Sequence, residues 1–204
     1  MDRDKLIFFL KEVPLLEALD DHEFEQLSNQ AIIKEVEKGK TILHEYDNGT
    51  SLYIIVKGKV KVFIASKDAK EHVLGFLGAK EFFGEISLLD GEPRSTSVTA
   101  TEKTSLIVIT RENFAQILRN NPDVTYKIIL SLCTKIRWTD RHVGNLAFLS
   151  AFGKVARTVM NLADEIGIKD NNKIIINHNM TRQDFANIAG TSRETMTRVL
   201  IDLE

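Results

Sequence analysis

Between residues 31 and 110, apolar and polar residues alternate in short segments that end at turn-forming residues. An alternation with a period of two is typical of β-strands, because it places one face of a strand on a core and the other toward water. The pattern predicts seven strands, over residues 31–37, 41–44, 51–57, 59–64, 71–77, 97–100 and 104–110. Since only residues 80–96 interrupt it, with one short helical turn, we expect an antiparallel β-roll or sandwich of the jelly-roll type.

The rest of the chain carries apolar residues at spacings of three and four, which indicate amphipathic helices. Two short helices are predicted within residues 2–30, and others over residues 111–119, about 123–147, 151–167, 182–189 and 193–204. Residues 169–172 are predicted to form a polar turn, and residues 173–177 a strand. We therefore predict an α+β fold with a β-roll domain (1–122), a long helix and hinge (123–149) and a C-terminal helical domain (150–204).

The long helix has apolar positions that alternate spacings of three and four, as in a coiled coil. They are Ile129, Leu132, Ile136, Val143 and Leu146, with Thr139 as a polar member. The opposite side is polar, which favours a dimer seam over the alternative, burial against the helix's own domain. A hydroxyl at Thr139 costs stability unless its own helix or a ligand satisfies it.

Residues 83–98 concentrate groups that suit a phosphate-and-sugar ligand. Gly84 lets backbone N–H groups approach a ligand closely, because it has no Cβ atom. Glu85 can only accept hydrogen bonds, which suits sugar hydroxyls, and Arg94 offers a planar fork of donors that matches a phosphate. Ser95 and Thr96 add further donors beside Arg94. The segment therefore predicts a pocket with Glu85 toward the sugar and Arg94 toward the phosphate.

Residues 181–204 have the spacing of a helix-turn-helix with Gly190 in the turn. Thr181 and Asp184 form a capping signature for the first helix, and Ser192 caps the second. One face of the second helix is apolar, and the other carries Arg193, Glu194, Thr197 and Arg198. We expect Arg193, Glu194 and Arg198 to contact bases, because arginine can bind guanine and glutamate can accept from cytosine. Arg182, Thr191 and Ser192 are better placed for phosphates.

Composition limits the other classes of function. The net charge of −2 gives no overall indication of nucleic acid, and residues 150–204 carry seven Lys/Arg against seven Asp/Glu. The single Cys133 excludes an internal disulfide, which fits a reducing cytosol, and cannot hold an iron–sulfur cluster by itself. We expect Cys133 to be a small buried residue. Without a signal peptide or a membrane-spanning apolar run, a cytoplasmic location is expected.

No catalytic or metal-binding arrangement is visible in the sequence. The five histidines have no metal-ligand spacing; they are His22, His44, His72, His142 and His178. There is no serine–histidine pair or pair of carboxylates that suggests acid–base chemistry. We therefore predict no enzyme activity, no metal site and no cofactor.

Three segments carry a resemblance to a known family. Residues 83–96, in the order Phe-Gly-Glu, an apolar pair and Gly-x-Pro-Arg-Ser-Thr, resemble the phosphate-binding cassette of cyclic-nucleotide-binding domains. Residues 138–149 and residues 191–200 resemble the long helix and the recognition helix of the cyclic-AMP receptor protein superfamily. The resemblance implies a homodimeric bacterial transcription regulator that binds an operator in double-stranded DNA and acts on RNA polymerase. In this superfamily a β-hairpin wing follows the recognition helix, whereas this sequence stops at Glu204.

The resemblance also implies the residues that hold the effector. A cyclic nucleotide would be bound by Gly84, Glu85, Ile86, Arg94, Ser95 and Thr96. Thr139 would contact the adenine amino group, and the next residue, commonly serine in that family, is Asp140 here. A carboxylate can accept from the adenine amine or from the N1–H and N2–H edge of guanine.

The identity of the effector therefore stays open at the sequence level. We hypothesise cAMP, with cGMP or a cyclic dinucleotide as alternatives of the same class. Two further alternatives are a DNA-binding protein that is independent of any ligand and a regulatory module that acts on a partner enzyme.

Overall fold

The computed structural model describes residues 2–68, 70–171, 173–176 and 180–203, with backbone only at 165 and 166. The chain divides into two compact units, one of residues 1–65 and 74–134 and the other of residues 66–73 and 135–204. The strands are β1 (Ile32–Val36), β2 (Thr41–Leu43), β3 (Ser51–Lys57), β4 (Val60–Ala65), β5 (Glu71–Leu77), β6 (Phe82–Phe83), β7 (Ser97–Ala100), β8 (Thr104–Thr110), β9 (Gly167–Asp170) and β10 (Lys173–Ile176). The α-helices are α1 (Arg3–Lys11), α2 (Asp21–Gln30), α3 (Ile86–Asp90), α4 (Arg111–Asn120), α5 (Pro122–Phe148), α6 (Ala151–Ile166), α7 (Arg182–Ala189) and α8 (Arg193–Asp202).

Two four-stranded sheets form the centre of the first unit, in the orders β1-β8-β3-β6 and β2-β7-β4-β5. Strand β8 pairs antiparallel with β1 on one side and with β3 on the other. Its residues Leu106, Ile107 and Ile109 are completely buried, because both faces of this central strand meet apolar groups. The predicted α+β fold with an N-terminal β-roll is confirmed, and each of the seven predicted strands is present.

Short helices cover one side of the roll. In α2, the Asp20 carboxylate accepts from the backbone N–H of Glu23, while the Glu23 side chain accepts from the backbone of Asp20. This capping box satisfies two N–H groups that a helix start leaves without partners. Leu10 and Phe24 of these helices pack with Ile54 in the larger core of the unit. The sheet β1-β8-β3-β6, which ends at Phe83, is therefore supported by a buried apolar core.

Helix α5 changes character along its length. Val124 and Ile128, near its start, are buried in the core of the first unit. Farther along, apolar side chains are exposed: Ile129 by 50%, Ile136 by 61% and Val143 by 58%. The alternative of burial against its own domain thus holds for the first turns, whereas later positions of the predicted seam are uncovered. Cys133 is also exposed, so the prediction that it is buried is wrong for this chain.

The C-terminal helices of the second unit enclose a small core. Val155 and Leu162 of α6 pack against Phe185 of α7 and Met196 of α8. The hydroxyl of Ser150 accepts from the backbone N–H of Gly153, so the predicted cap of α6 is confirmed.

Two local predictions in this unit are corrected. The polar turn expected at residues 169–172 begins later than predicted: Lys169 and Asp170 belong to strand β9, which pairs antiparallel with β10, whereas Asn171 lies in the turn and residue 172 is outside the described residues. Helix α8 ends at Asp202, two residues earlier than expected, and Glu204 lies outside the described residues.

Candidate functional site

The predicted ligand-binding segment turns sharply at Gly84, directly after strand β6. Gly84 has a φ of +88°, a conformation that residues with a side chain rarely adopt. A Cβ atom at this position would lie 2.8 Å from Nη1 of Arg94. Helix α3 follows and ends at Gly91, which is left-handed. Glycine at position 84 is therefore required by the close approach of the Arg94 guanidinium.

Arg94 is the centre of this site, and only 4% of its surface is exposed. Its Nη1 donates to the carbonyl of Gly84 at 2.6 Å and to Oγ of Ser87 at 2.7 Å. Its Nη2 donates to the carbonyl of Ser51 at 2.7 Å. Its Nε is buried and makes no hydrogen bond to the described residues. A buried donor without a partner is costly, and an anion with two oxygens is the natural partner for this edge of a guanidinium.

A buried carboxylate stands beside this guanidinium. Glu85 is 2% exposed. Burial lowers the pKa of Arg94, and the charges of Tyr53 and Glu85 oppose this effect. Because arginine stays protonated in proteins, the site holds a buried positive charge next to a negative one. A ligand with one anionic group and a hydroxyl matches this pair of charges.

The loop before β3 fixes the backbone of Arg94. The Arg94 N–H donates to the carbonyl of Asp47 at 2.8 Å, and its carbonyl accepts from Tyr46 N–H at 2.9 Å. The rings of Tyr53 and Phe83 stack beneath the turn with centroids 5.2 Å apart. The position of the guanidinium is therefore set by elements that are far apart in the sequence.

The other predicted members of the site lie nearer the surface. Ile86 is 37% exposed, Ser95 is exposed and Thr96 is half-buried. Their roles in ligand binding stay predictions.

Four residues of this site were missed by sequence reasoning: Gly49, Ser51, Ser87 and Arg111. Ser51 and Ser87 accept from Arg94, and Nη2 of Arg111 donates to the carbonyls of Gly49 and Ser87 at 2.7 and 3.0 Å. Most of these contacts use backbone carbonyls, which carry no residue-type signal. The serine at position 87 was the one available signal, since it is a polar residue inside the apolar turn Ile86–Leu89.

The two residues that are predicted to contact the base of the effector lie on α5, in the part assigned to the second unit. Both Thr139 and Asp140 are exposed. The hydroxyl of Thr139 donates to the carbonyl of Lys135 at 2.9 Å, so its own helix satisfies it. This is the first of the two possibilities raised by the sequence, and a contact to a ligand stays a prediction.

The helix-turn-helix has the predicted turn and caps. The Thr181 hydroxyl accepts from the Asp184 N–H, and the Asp184 carboxylate accepts from the Thr181 N–H. Gly190 ends α7 with a φ of +63°, a left-handed position that glycine tolerates best. The Ser192 hydroxyl accepts from the Thr195 N–H at 3.2 Å and so caps α8. The turn therefore presents the N-terminus of α8 at the surface.

One face of α8 carries the predicted DNA contacts together. Arg193, Glu194 and Arg198 are exposed, and with Thr197 they line one shallow depression. A hydrogen bond from its own backbone, and then one from Ser192, hold the pKa of Glu194 below its ordinary value, so it is ionised at neutral pH. Ile201 and Asp202 line the same depression and were not predicted as contacts. Arg182, Thr191 and Ser192 lie at the start of α7 and in the turn, and their roles stay predictions.

Other functional classes find little support in the part of the chain that the structure describes. No group of three or more His, Cys, Asp or Glu side chains in these ranges could hold a metal ion. His72 and His142 contact each other, and His178 lies outside the described residues. None of the described helices combines the length and the apolar character that crossing a bilayer requires.

Two family models match this chain. A cyclic nucleotide-binding domain matches residues 33–121, and a Crp-like helix-turn-helix domain matches residues 153–204. The first covers the β-roll with Arg94, and the second covers α6 to α8.

Known proteins and structures agree with this division. The chain is 36% identical to a cAMP-activated global transcriptional regulator of Escherichia coli O6:H1 over 168 residues, 80% of this chain and 78% of the relative. The Thermus thermophilus catabolite activator protein is similar in structure with a TM-score of 0.59 at 31% identity, covering 93% and 86% of the two chains. The c-di-GMP responsive regulator CLP of Xanthomonas campestris has a TM-score of 0.74 at 25% identity, covering 90% and 91%.

The resemblance inferred from residues 83–96, 138–149 and 191–200 is confirmed. With the fold, the two matched domains and a curated relative at 36% identity in agreement, this chain belongs to the cyclic-AMP receptor protein (CRP/FNR) superfamily of DNA-binding transcriptional regulators.

Proposed function

We propose that this chain is a transcription regulator whose DNA binding is controlled by cAMP. The effector would be held by Gly84, Glu85, Ile86, Arg94, Ser95 and Thr96. The observation that carries the proposal is the buried Nε of Arg94, which has no protein partner among the described residues, beside the buried Glu85. A cyclic phosphate supplies acceptor oxygens for Arg94, and the ribose supplies a hydroxyl that Glu85 can accept from. The proposal includes no enzyme activity, metal or further cofactor.

Thr139 and Asp140 would contact the base. Asp140 is exposed and can accept hydrogen bonds but cannot donate them when ionised. This suits adenine through its amino group, and it equally suits guanine through N1–H and N2–H. Because CLP, which is 25% identical, is responsive to c-di-GMP, cGMP and cyclic dinucleotides are the second candidates within the same class.

The proposed partners follow from the exposed faces of helices α8 and α5. On α8, Arg193, Glu194 and Arg198 would read bases in the major groove, while Thr197 and the turn residues would contact the backbone. The exposed apolar positions of α5 would pair with a second copy, so that two α8 helices address one operator. RNA polymerase is the partner through which a regulator bound at a promoter would act.

Calorimetric titration of the full chain with cAMP, cGMP and c-di-GMP tests the effector. We expect heat with cAMP that is absent in Arg94→Gln, and tighter operator binding when cAMP is present. Heat with another member of the panel alone would replace cAMP by that nucleotide. Operator binding that is indifferent to every nucleotide and unchanged in Arg94→Gln would indicate a ligand-independent DNA-binding protein. If the wild-type chain binds no DNA sequence specifically, the result would favour the alternative of a regulatory module that acts on a partner enzyme.

A further inference from the structure

Arg111 holds two parts of the effector site with a single nitrogen atom. Its Nη2 donates to the carbonyl of Gly49, in the loop before β3, at 2.7 Å and to the carbonyl of Ser87, in α3, at 3.0 Å. Its backbone N–H donates to the carbonyl of Thr50 at 2.9 Å. Because hydrogen bonds from a charged donor are stronger than neutral ones, Arg111 ties α3 to this loop firmly.

Ser87 connects this second guanidinium to the first. Its Oγ accepts from Nη1 of Arg94 at 2.7 Å, while its carbonyl accepts from Arg111. The side chain is 1% exposed. A Cβ atom at Gly49 would lie 2.1 Å from Oγ of Ser87 and 3.1 Å from Cζ of Arg94, so the junction is closely packed. A displacement of either guanidinium is therefore transmitted to Ser87 rather than absorbed by empty space.

Arg111 is also the first residue of α4, which continues into α5. Phe114, one turn later, is 2% exposed in the core. At the corner between the two helices, the Thr125 hydroxyl donates to the carbonyl of Leu118 at 2.7 Å, and Nδ2 of Asn121 donates to the carbonyl of Ile117 at 3.1 Å. These bonds hold the end of α4 to the start of α5, so the two move together in this unit.

We propose that Arg111 is a positioning residue that couples occupancy of the Arg94 site to α4 and α5. The inference rests on the proposed function, because it requires an anion at Arg94. A phosphate that binds the buried Nε edge of Arg94 pulls on the guanidinium, and Ser87 is displaced with it because its Oγ accepts from Nη1 of the same group. The resulting shift of α3 changes the position of the Ser87 carbonyl. Because Nη2 of Arg111 donates to this carbonyl and to that of Gly49, the Arg111 side chain must move with Ser87 or lose one of the two bonds. Occupancy is thereby converted into a displacement at the start of α4.

The test is the ratio of operator affinities with saturating cAMP and without it, measured by fluorescence anisotropy on a labelled operator selected with the wild-type chain. Saturation removes any contribution from a changed affinity for cAMP. Allosteric coupling of this kind is typically about 5–150-fold. We expect Arg111→Gln and Ser87→Ala each to lower the ratio by the same factor, of at least about threefold, without bringing it to unity. Ser87→Ala removes Oγ but keeps the carbonyl, so the two variants break the connection at different links.

The double variant distinguishes two explanations for the losses in the single variants: one connection in series that both variants break, or two independent structural defects. If the links act in series, Ser87→Ala/Arg111→Gln loses no more coupling than either single variant, whereas independent losses would add. Arg119→Gln is the matched control, because Arg119 is exposed on the same helix and carries the same charge. It should keep the wild-type ratio. Circular dichroism melts check that each variant is folded at the assay temperature.

Two results overturn the inference alone: a wild-type ratio in Arg111→Gln, or additive losses in the double variant. If the wild-type chain itself shows no nucleotide effect on operator binding, the proposed function fails and the inference fails with it. The two failures are distinguished by the wild-type measurement.

Discussion

The Nε2 atom of His72 lies 2.7 Å from the Nε2 atom of His142. The His142 ring stacks on Trp138 with centroids 4.7 Å apart. Burial lowers the pKa of His72, and the backbone of Asn187 partly opposes this effect. A bond between two ring nitrogens needs one that donates and one that accepts, so at least one of the two rings is neutral. The pair thus joins strand β5 to helix α5.

The histidine pair predicts a coupled titration. Burial lowers the pKa of His72, and burial together with the charge of His72 lowers the pKa of His142. The charged residues next to the pair in the sequence are Glu71, beside His72, and Arg141, beside His142. Because the packed arrangement prefers neutral rings, its stabilising contribution is complete above the ordinary histidine pKa of about 6.5 and declines as the pH falls below it.

Because the bond between the rings needs one N–H and one acceptor nitrogen, protonation of one ring can preserve it, whereas protonation of both sets N–H against N–H. Ring-proton NMR should therefore show two steps below the titration of a histidine peptide, and His142→Gln should remove one of them. Trp138, the single tryptophan of the chain, provides a fluorescence signal for the same event. Two independent titrations at the value of the peptide would contradict the pairing.

Replacement of Arg94 should abolish effector binding. Arg94→Gln removes the charge and the donor edge, and hydrogen bonds to charged groups contribute about 1.5–3 kcal/mol each, so we expect a loss of cAMP affinity of at least about tenfold. Arg94→Lys keeps the charge without the planar fork and should recover only part of the affinity. Calorimetry measures both. Equal affinity of wild type and Arg94→Gln for cAMP would show that Arg94 does not bind the effector.

Gly49 should tolerate no side chain while Ser87 is present. A Cβ atom would meet both Cβ and Oγ of Ser87, at 2.7 and 2.1 Å. We expect Gly49→Ala to lower the free energy of unfolding by about 1–3 kcal/mol through overpacking, and a second change, Ser87→Gly, to restore part of it. Gly75→Ala is the control, because a Cβ atom there meets no atom within 4 Å. Urea denaturation that finds Gly49→Ala as stable as Gly75→Ala would disprove the close contact.

The two classes of predicted DNA contact should differ in their response to salt. Arg193→Ala should cost about 1–3 kcal/mol on the preferred operator and relax the base preference at one position. Arg182→Ala should weaken binding to all sequences alike and reduce the salt slope by about one. Anisotropy titrations on matched and mismatched operators at several salt concentrations separate the two. The same uniform loss for both variants would argue against base reading by Arg193.

The exposed seam of α5 predicts self-association. Ile136 and Val143 are exposed by 61% and 58%, and a charge at either position would be buried without a partner in a paired helix. We expect Ile136→Glu to shift the chain from dimer to monomer in analytical ultracentrifugation. Arg137→Glu, an exposed change on the polar side of the same helix, should leave the dimer intact. A wild-type chain that sediments as a monomer at micromolar concentration would contradict the prediction that α5 forms a dimer seam.

The fold was largely predictable because alternation and helical spacing report burial directly. The exceptions are elements that such patterns do not specify. Strand β6 has only two residues, Phe82 and Phe83, which is too short for an alternation. Strand β9 contains Lys169 and Asp170 and is held by pairing with β10, so its polar residues indicated a turn. Cys133 was expected to be buried because cysteine usually is, but it lies on the uncovered part of α5.

The candidate site was predictable as far as residue type determines chemistry. Gly84, Glu85 and Arg94 come together as expected, because they are near in sequence and two of them are charged. Arg111 is 17 positions from Arg94, at the start of a helix, and its partners are the carbonyls of Gly49 and Ser87. No periodicity or motif encodes such contacts. They follow only from the packing of two sheets that bring these loops together.

The ionised Glu194, on the face of α8 that is predicted to contact DNA, has a consequence for the search along the genome. A carboxylate is repelled by phosphates at every site, and residues 150–204 carry no excess of positive charge to offset it. Non-specific affinity depends almost entirely on phosphate contacts, so the repulsion shortens each unproductive encounter. At an operator, a cytosine amino group in reach of Glu194 would turn the same charge into an attraction. Discrimination between operator and bulk DNA would then come as much from rapid release elsewhere as from tight binding at the target.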